Sequence, residues 1–317
     1  MTQPINLLFD HDGGVDDLIS LLMLLAMPHV NLHGIAVTPA DCYLRPATSA
    51  TLKILRLCGR ADIPVSQGTL TGINHFPRLW RKDAYCLDAL PMLNDTDDPL
   101  PSPVPQPAHQ FLADKLRQAD TPLTILITGP VSNLTAALNA EPDLANKVEN
   151  VLWMGGAFNV NGNVEDYEHD GSAEWNVYWD PIAAHQLWQH DIPLLLFPLD
   201  ITNNVPVNLP FLHQLARRRR FPLADLAGQC WAMTVGTIPN ANYLYYMWDT
   251  LTTGYLGAPH LFTTTTQPTY VIPHAPSAGR TIISPDKGRP TQIAQTVALP
   301  QFYDYLLDLF SQHISQQ

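Results

Sequence analysis

Apolar residues along the chain fall in short blocks, separated by polar, glycine- and proline-bearing turns, and the blocks alternate between two spacings. Ile5–Phe9 is a brief apolar run that predicts a strand, and Asp17–Ala26 repeats its apolar positions at helical spacing. Leu32–Val37 and Ala47–Cys58 repeat the strand–helix pair, and Pro64–Ser66 adds a short strand. Such alternation builds a parallel sheet covered on both faces. Between Gly68 and Pro107 the pattern lapses into a polar, proline-rich stretch, too long for an ordinary connection, which predicts an inserted functional loop or flap at about 68–107. Regular alternation returns with helix Ala108–Ala119, strand Leu123–Ile127, helix Val131–Asn139 and strand Val148–Met154. Helix Pro181–Gln189 and strand Leu194–Leu199 follow. Beyond Asp200 the chain turns mainly helical (Leu209–Arg219, Leu223–Val235), then polar and strand-like, and closes on helix Gln301–His313.

With 317 residues and 46% apolar content, the chain is long enough for a sizeable core, so disorder is excluded as its main state. Seventeen Lys and Arg against 29 Asp and Glu give a net charge of −12, which disfavours a nucleic-acid partner or an anionic membrane. The only charge run, Arg217–Arg220, is read as solvating a helix C-terminus. Cys42, Cys58, Cys86 and Cys230 are too widely spaced for a disulfide framework or a metal pair. With no signal peptide and no apolar run of membrane-spanning length, they point to a reduced, soluble, cytoplasmic protein.

Candidate chemistry concentrates where the first strand gives way to the first helix. Asp10, Asp12, Asp16 and Asp17 place four carboxylates within eight residues, at the strand end where open α/β sheets bind ligands. Acids so close repel one another unless a cation or shared protons relieve them. Oxygen-only donors suit a hard divalent cation, Ca²⁺ or Mg²⁺, and Gly13 and Gly14 let the backbone turn tightly around it. The bland alternative leaves Asp16 and Asp17 capping the helix and Asp10 and Asp12 in water. A strand ending in Phe9-Asp10-His11-Asp12-Gly13 also resembles the haloacid-dehalogenase-type Mg²⁺ phosphatases, whose first Asp attacks phosphorus. Gly13 and Gly14 do not supply the hydroxyl expected after that motif, and two more acids follow at once.

The whole segment Asp10-His-Asp-Gly-Gly-Val-Asp-Asp17 resembles the N-terminal signature of the nucleoside hydrolases, with glycine where the family commonly has proline. Later segments carry the resemblance on, in order: Thr38-Pro-Ala-Asp-Cys42, Ile127-Thr-Gly-Pro-Val-Ser-Asn133, Trp153-Met-Gly-Gly156, Asn161-Gly-Asn163, Glu174-Trp-Asn-Val-Tyr-Trp-Asp-Pro181 and Trp248-Asp249. It runs from residue 5 to about 255 and is weak beyond Gly257. Asp41, Trp80 and a tryptophan before Asp249 resemble the purine-specific branch, which prefers inosine, adenosine and guanosine. A non-catalytic nucleoside-binding protein of the same fold is the remaining alternative.

The resemblance implies a Rossmann-like α/β single domain, residues 1–317, with an open, mostly parallel sheet and helices on both faces. It implies a Ca²⁺-dependent purine nucleoside N-ribohydrolase and a homo-oligomer. Calcium would be held by Asp12, Asp17, the Thr128 carbonyl and Asp249, and Asp12 would take the proton of the attacking water. Asp16, Asn163, Glu174 and Asn176 would grip ribose hydroxyls, with Met154 against the sugar and Asp10 in support. Glu174 and Asn176 taken alone fit a helix cap or turn equally well. Trp80 and Trp248 would sandwich the base, since two indoles favour a protonated purine by about 0.5–2 kcal/mol per ring, and Asp41 would bond its edge. Tyr243, Tyr245, Tyr246 and Tyr255 are candidates for a flap, whereas Trp153, Trp188 and Trp231 read as core. His11 alternates away from its acidic neighbours, and no histidine is assigned to catalysis.

Overall fold

A computed structural model describes residues 4–236 and 244–312. Nine strands form one sheet: β1 (Ile5–His11), β2 (Val30–Val37), β3 (Val65–Gln67), β4 (Leu123–Ile127), β5 (Val148–Met154), β6 (Leu194–Phe197), β7 (Phe262–Val271), β8 (Thr281–Ile283) and β9 (Arg289–Val297). Their spatial order is β3-β2-β1-β4-β5-β6-β9-β7-β8. Neighbours from β3 to β6 pair in parallel, as does β9 on β6, while β7 runs antiparallel to both β9 and β8.

The side-chain period of two separates two cores. Leu7, Phe9, Leu126, Leu152, Leu195 and Phe197 face one, while Leu8, Ile125, Ile127, Val151, Trp153 and Leu196 face the other. A strand buried on both faces is largely apolar, which is why Leu123–Ile127 reads as an apolar run broken only by Thr124. The first core takes α1 (Val15–Ala26) and α2 (Leu44–Leu57). Two short helices, α3 (Arg78–Arg81) and α4 (Asp83–Asp88), lie in the inserted segment. The second core takes α5 (Ala108–Gln118), α6 (Ser132–Ala140) and, after the five-residue α7 (Trp175–Trp179), α8 (Pro181–Leu187). A single turn, α9 (Leu199–Thr202), leads to α10 (Leu209–Ala216), α11 (Pro222–Gly236), α12 (Trp248–Gly257) and α13 (Leu299–Phe310), most of whose buried residues join the first core.

Most expected elements are present, with shifted ends. α1 begins two residues earlier than its periodicity predicts and takes Asp16 into its first turn. The Gly68–Pro107 stretch is not an open flap throughout. Lys53 on α2 donates to the Asp88 carboxylate at 2.7 Å, and Arg56 donates to the Asp98 and Leu93 carbonyls, tying the insertion down. The polar region after residue 260 is an integral antiparallel extension of the sheet. His313, the expected end of the last helix, lies outside the described residues. All four cysteines are free, and among the described residues no helix is long and apolar enough to cross a membrane.

Candidate active site

Parallel strands end at one edge of the sheet, and the chemistry-bearing residues collect there. β1 delivers Asp10 and, just beyond its end, Asp12; β2 is followed by Thr38 and Asp41, β4 by Thr128, and β5 ends on Met154. Asp249 comes from the first turn of α12. Two glycines allow the close approach. Gly13 has φ +77°, and a Cβ there would stand 2.5 Å from that of Ala47; a Cβ on Gly129 would stand 2.7 Å from that of Asp12.

Asp10, Asp12, Asp16, Asp17 and Asp249 are all buried. Asp17 accepts from the backbone N–H of Gly14 at 2.8 Å and of Asp12 at 3.3 Å, and from the Thr128 hydroxyl. Asp12 accepts from the Asp41 N–H at 3.1 Å. Burial, then the charge of Asp17, then that of Asp41, push the Asp12 carboxyl well above the usual range. Burial, followed by Asp17, Asp16, Asp12 and Asp41, does the same to Asp249. Asp41 is raised by burial and by Asp17 and Asp83, against a smaller opposing pull from Arg81, and its buried Oδ1 has no hydrogen-bond partner. These groups feel one another strongly, and among the described residues Arg81 opposes that repulsion only at Asp41.

Asp10 supports from behind. Its carboxylate accepts from the Thr38 hydroxyl at 2.8 Å and from Asn133 Nδ2 at 3.2 and 3.3 Å. Neither Thr38 nor Asn133 was assigned a role from the sequence, although both lie in matched segments.

Asp16 is held by residues far along the chain. Its two oxygens accept from the Asp249 N–H (2.7 Å), the Thr250 N–H (2.9 Å) and hydroxyl, and the Trp231 indole (3.1 Å). These donors hold both oxygens of the Asp16 carboxylate in place. Asp16 therefore anchors the start of α12, which carries Trp248 and Asp249. Trp231 is core, as expected, but also serves this anchor.

Glu174 caps α7, accepting from the N–H groups of Asn176 at 2.8 Å, Val177 at 3.3 Å and Gly156 at 3.1 Å. The cap reading of the sequence thus holds for Glu174. Asn176 Nδ2 reaches the Thr128 carbonyl at 3.0 Å and the Met154 carbonyl at 3.1 Å, bridging the ends of β4 and β5. Asn163 Oδ1 accepts from the Trp175 N–H at 3.0 Å.

Trp80 is 39% exposed and meets Phe76 and Trp175 edge-on at 6.2 and 5.8 Å. Its segment is latched by Arg81, which lies 4.7 Å over the Tyr43 ring and donates to the Cys42 carbonyl at 3.2 Å. Trp248 packs on Met154, Ala157 and Leu199 and meets Tyr245 and Tyr246 edge-on. Tyr255 instead faces Phe197 and Phe262 in the core, and Tyr243 lies outside the described residues. His11 stacks on Phe9 and meets Thr51 at 3.2 Å, and burial pushes its pKa down to about 3, leaving it neutral.

Among the described residues, no group of three or more His, Cys, Asp or Glu side chains stands ready to hold a metal ion. The donor chemistry nonetheless fits one: Asp12, Asp17 and Asp249 carry hard carboxylate oxygens that repel one another, and Thr128, whose hydroxyl donates to Asp17, lies beside them. Burial also pushes the Asp10, Asp16 and Glu174 carboxyls up to about 7. A carboxyl raised on folding binds its proton more tightly in the folded chain, so its stabilising share is lost as pH rises through the folded value. In chelator, the melting temperature is expected to fall between about pH 4 and 7, and calcium should narrow that fall. A flat profile in chelator would contradict the burial of these acids.

A family model described as inosine-uridine preferring nucleoside hydrolase matches residues 7–304, well past the residue 257 where the resemblance was expected to fade. A solved inosine-uridine preferring nucleoside hydrolase from Bacillus anthracis is 40% identical, with a TM-score of 0.91 over 97% of this chain and 99% of its own. A purine-preferring ribonucleoside hydrolase from Gardnerella vaginalis, 23% identical with a TM-score of 0.76 over 96% of this chain and 98% of its own, shares the fold. The pyrimidine-specific ribonucleoside hydrolase RihA of Citrobacter koseri is 32% identical over 206 residues, which are 63% of this chain and 62% of that relative's length.

Proposed function

The chain belongs to the inosine-uridine preferring nucleoside hydrolase family, and we propose that it hydrolyses the N-glycosidic bond of purine ribonucleosides, with calcium as its cofactor. A cytoplasmic homo-oligomer belongs to the same reading. The observation that carries it is the gathering of Asp12, Asp17, Thr128 and Asp249 at one sheet edge, with mutual repulsion that a divalent cation would relieve.

Asp12, Asp17, the Thr128 carbonyl and Asp249 are the groups that would hold the ion. When bound, it would lower the proton affinity of a water and fix its aim. Asp12 takes that water's proton on its carboxylate as the sugar develops oxocarbenium character. Asn163 and Asn176 bind ribose hydroxyls, with Met154 on the sugar face. Asp16 and Glu174, whose carboxylates are engaged by backbone donors, offer the sugar a firmly positioned edge. Asp41 presents its unpartnered Oδ1 to the purine. Trp80 and Trp248 flank the base and favour its protonated form.

A pyrimidine preference is the second reading, favoured by the pyrimidine specificity of the 32% identical relative. Family membership leaves the phosphatase alternative without support. A reducing-sugar assay on inosine, uridine and 2′-deoxyinosine, with and without chelator, separates the rest. Inosine is expected to be cleaved fastest, the deoxynucleoside poorly, and none in chelator. Faster cleavage of uridine would favour the second reading, and tight binding without turnover would leave only a nucleoside-binding protein.

A further inference from the structure

The indole N–H of Trp248 donates to Asn203 Oδ1 at 3.1 Å, and no motif contains that asparagine. Asn203 caps the single turn α9, directly after β6, and its own N–H bonds the Leu199 carbonyl at 3.1 Å. The same turn holds the other side of the site. The Leu199 N–H donates to the Gly156 carbonyl at 2.8 Å, and Asp200 accepts from the N–H groups of Phe158 and Asn159 at 2.9 and 2.8 Å. Gly156 in turn donates to Glu174. One turn of chain therefore fixes both the loop that leads to Asn163 and the tryptophan proposed to flank the base.

Trp248 needs such a tether. It is only partly buried, packed against Met154, Ala157 and Leu199. Edge-on contacts with Tyr245 and Tyr246 limit the ring from one side, while the N–H bond to Asn203 defines the direction of its polar edge. Stacking on a departing base depends on the plane of the ring, so the tether acts on the leaving group rather than on the sugar.

We propose that Asn203 is a positioning residue that holds the Trp248 indole in the plane needed to assist a poor leaving group, and so helps to set selectivity among nucleosides. This rests on the reading of Trp248 given above. Asn203 is exposed, so its replacement should leave the fold intact, which a melting curve checks.

The test compares turnover of inosine with that of a nitrophenyl riboside, whose leaving group needs little help, in Trp248→Ala, Asn203→Leu, Asn203→Asp and the pair Trp248→Phe with Asn203→Leu. Losing one hydrogen bond of ordinary strength should lower kcat on inosine about 3- to 10-fold, with the nitrophenyl riboside and its KM unmoved. Asn203→Asp keeps the acceptor oxygen and should restore the inosine-to-nitrophenyl ratio. In the Trp248→Phe background, which lacks the indole N–H, Asn203→Leu should cause no additional loss. If Trp248→Ala shifts the ratio and Asn203→Leu does not, the tether is overturned and the role of Trp248 stands. An additional loss in the phenylalanine background also overturns the tether. If Trp248→Ala leaves the ratio unchanged, the reading of Trp248 fails, and the tether fails with it.

Discussion

Asp12→Ala is expected to lower kcat on inosine by about 10²- to 10⁴-fold, the range spanned by loss of a positioned general base. The carboxylate is asked to do two things, to hold a cation and to accept a proton, and alanine removes both. Its surroundings suit the second task, because burial and the neighbouring Asp17 and Asp41 raise its proton affinity well above that of a free carboxylate. Stability should move the other way. Asp12 repels Asp17, Asp41 and Asp249, so in chelator the variant should melt at or above the temperature of the unaltered protein. A loss of turnover without a loss of stability separates a chemical role from a structural one. Near-normal turnover would remove Asp12 from the mechanism, and a collapse in melting temperature would show that the acid cluster holds the fold together.

The sheet was legible because its central strands are buried on both faces. Leu123–Ile127 and Val148–Met154 have the bounds their sequences predict. The start of α1 was not, because its cap residue is Gly14, which has no side chain to announce it; Asp17 reaches back to the Gly14 N–H instead. The threonine-rich strand β7 was legible only as part of a polar, strand-like region, without bounds, for another reason. Its Thr263–Gln267 stretch is largely solvated, so hydrophobic periodicity marks it weakly. In the site, four acids in eight residues announced themselves, but nothing local distinguished their tasks. Asp16 is engaged by Trp231, Asp249 and Thr250, more than 200 residues away, and Trp248 by Asn203, 45 residues away. Which acid is tied to a distant helix is decided by tertiary contacts that spacing does not carry.

Trp80→Ala is expected to damage purine nucleosides selectively. Removing an aromatic ring stacked on a base costs about 1–3 kcal/mol, or roughly 5- to 150-fold in kcat/KM for inosine. The effect should reach kcat as well as KM, because a protonated purine is more cationic than the bound nucleoside and gains more from the indole. A nitrophenyl riboside departs without protonation, so its kcat should change little. The position of the ring supports such a separation. Trp80 is partly exposed, held by Phe76 and Trp175 at its edges, and its backbone is pinned independently by Arg81 on Tyr43 and Cys42, so alanine removes a surface without releasing the segment. Equal losses on both substrates would mean that Trp80 only helps to close the pocket. A loss confined to KM for inosine would mean that it binds the base without easing its departure.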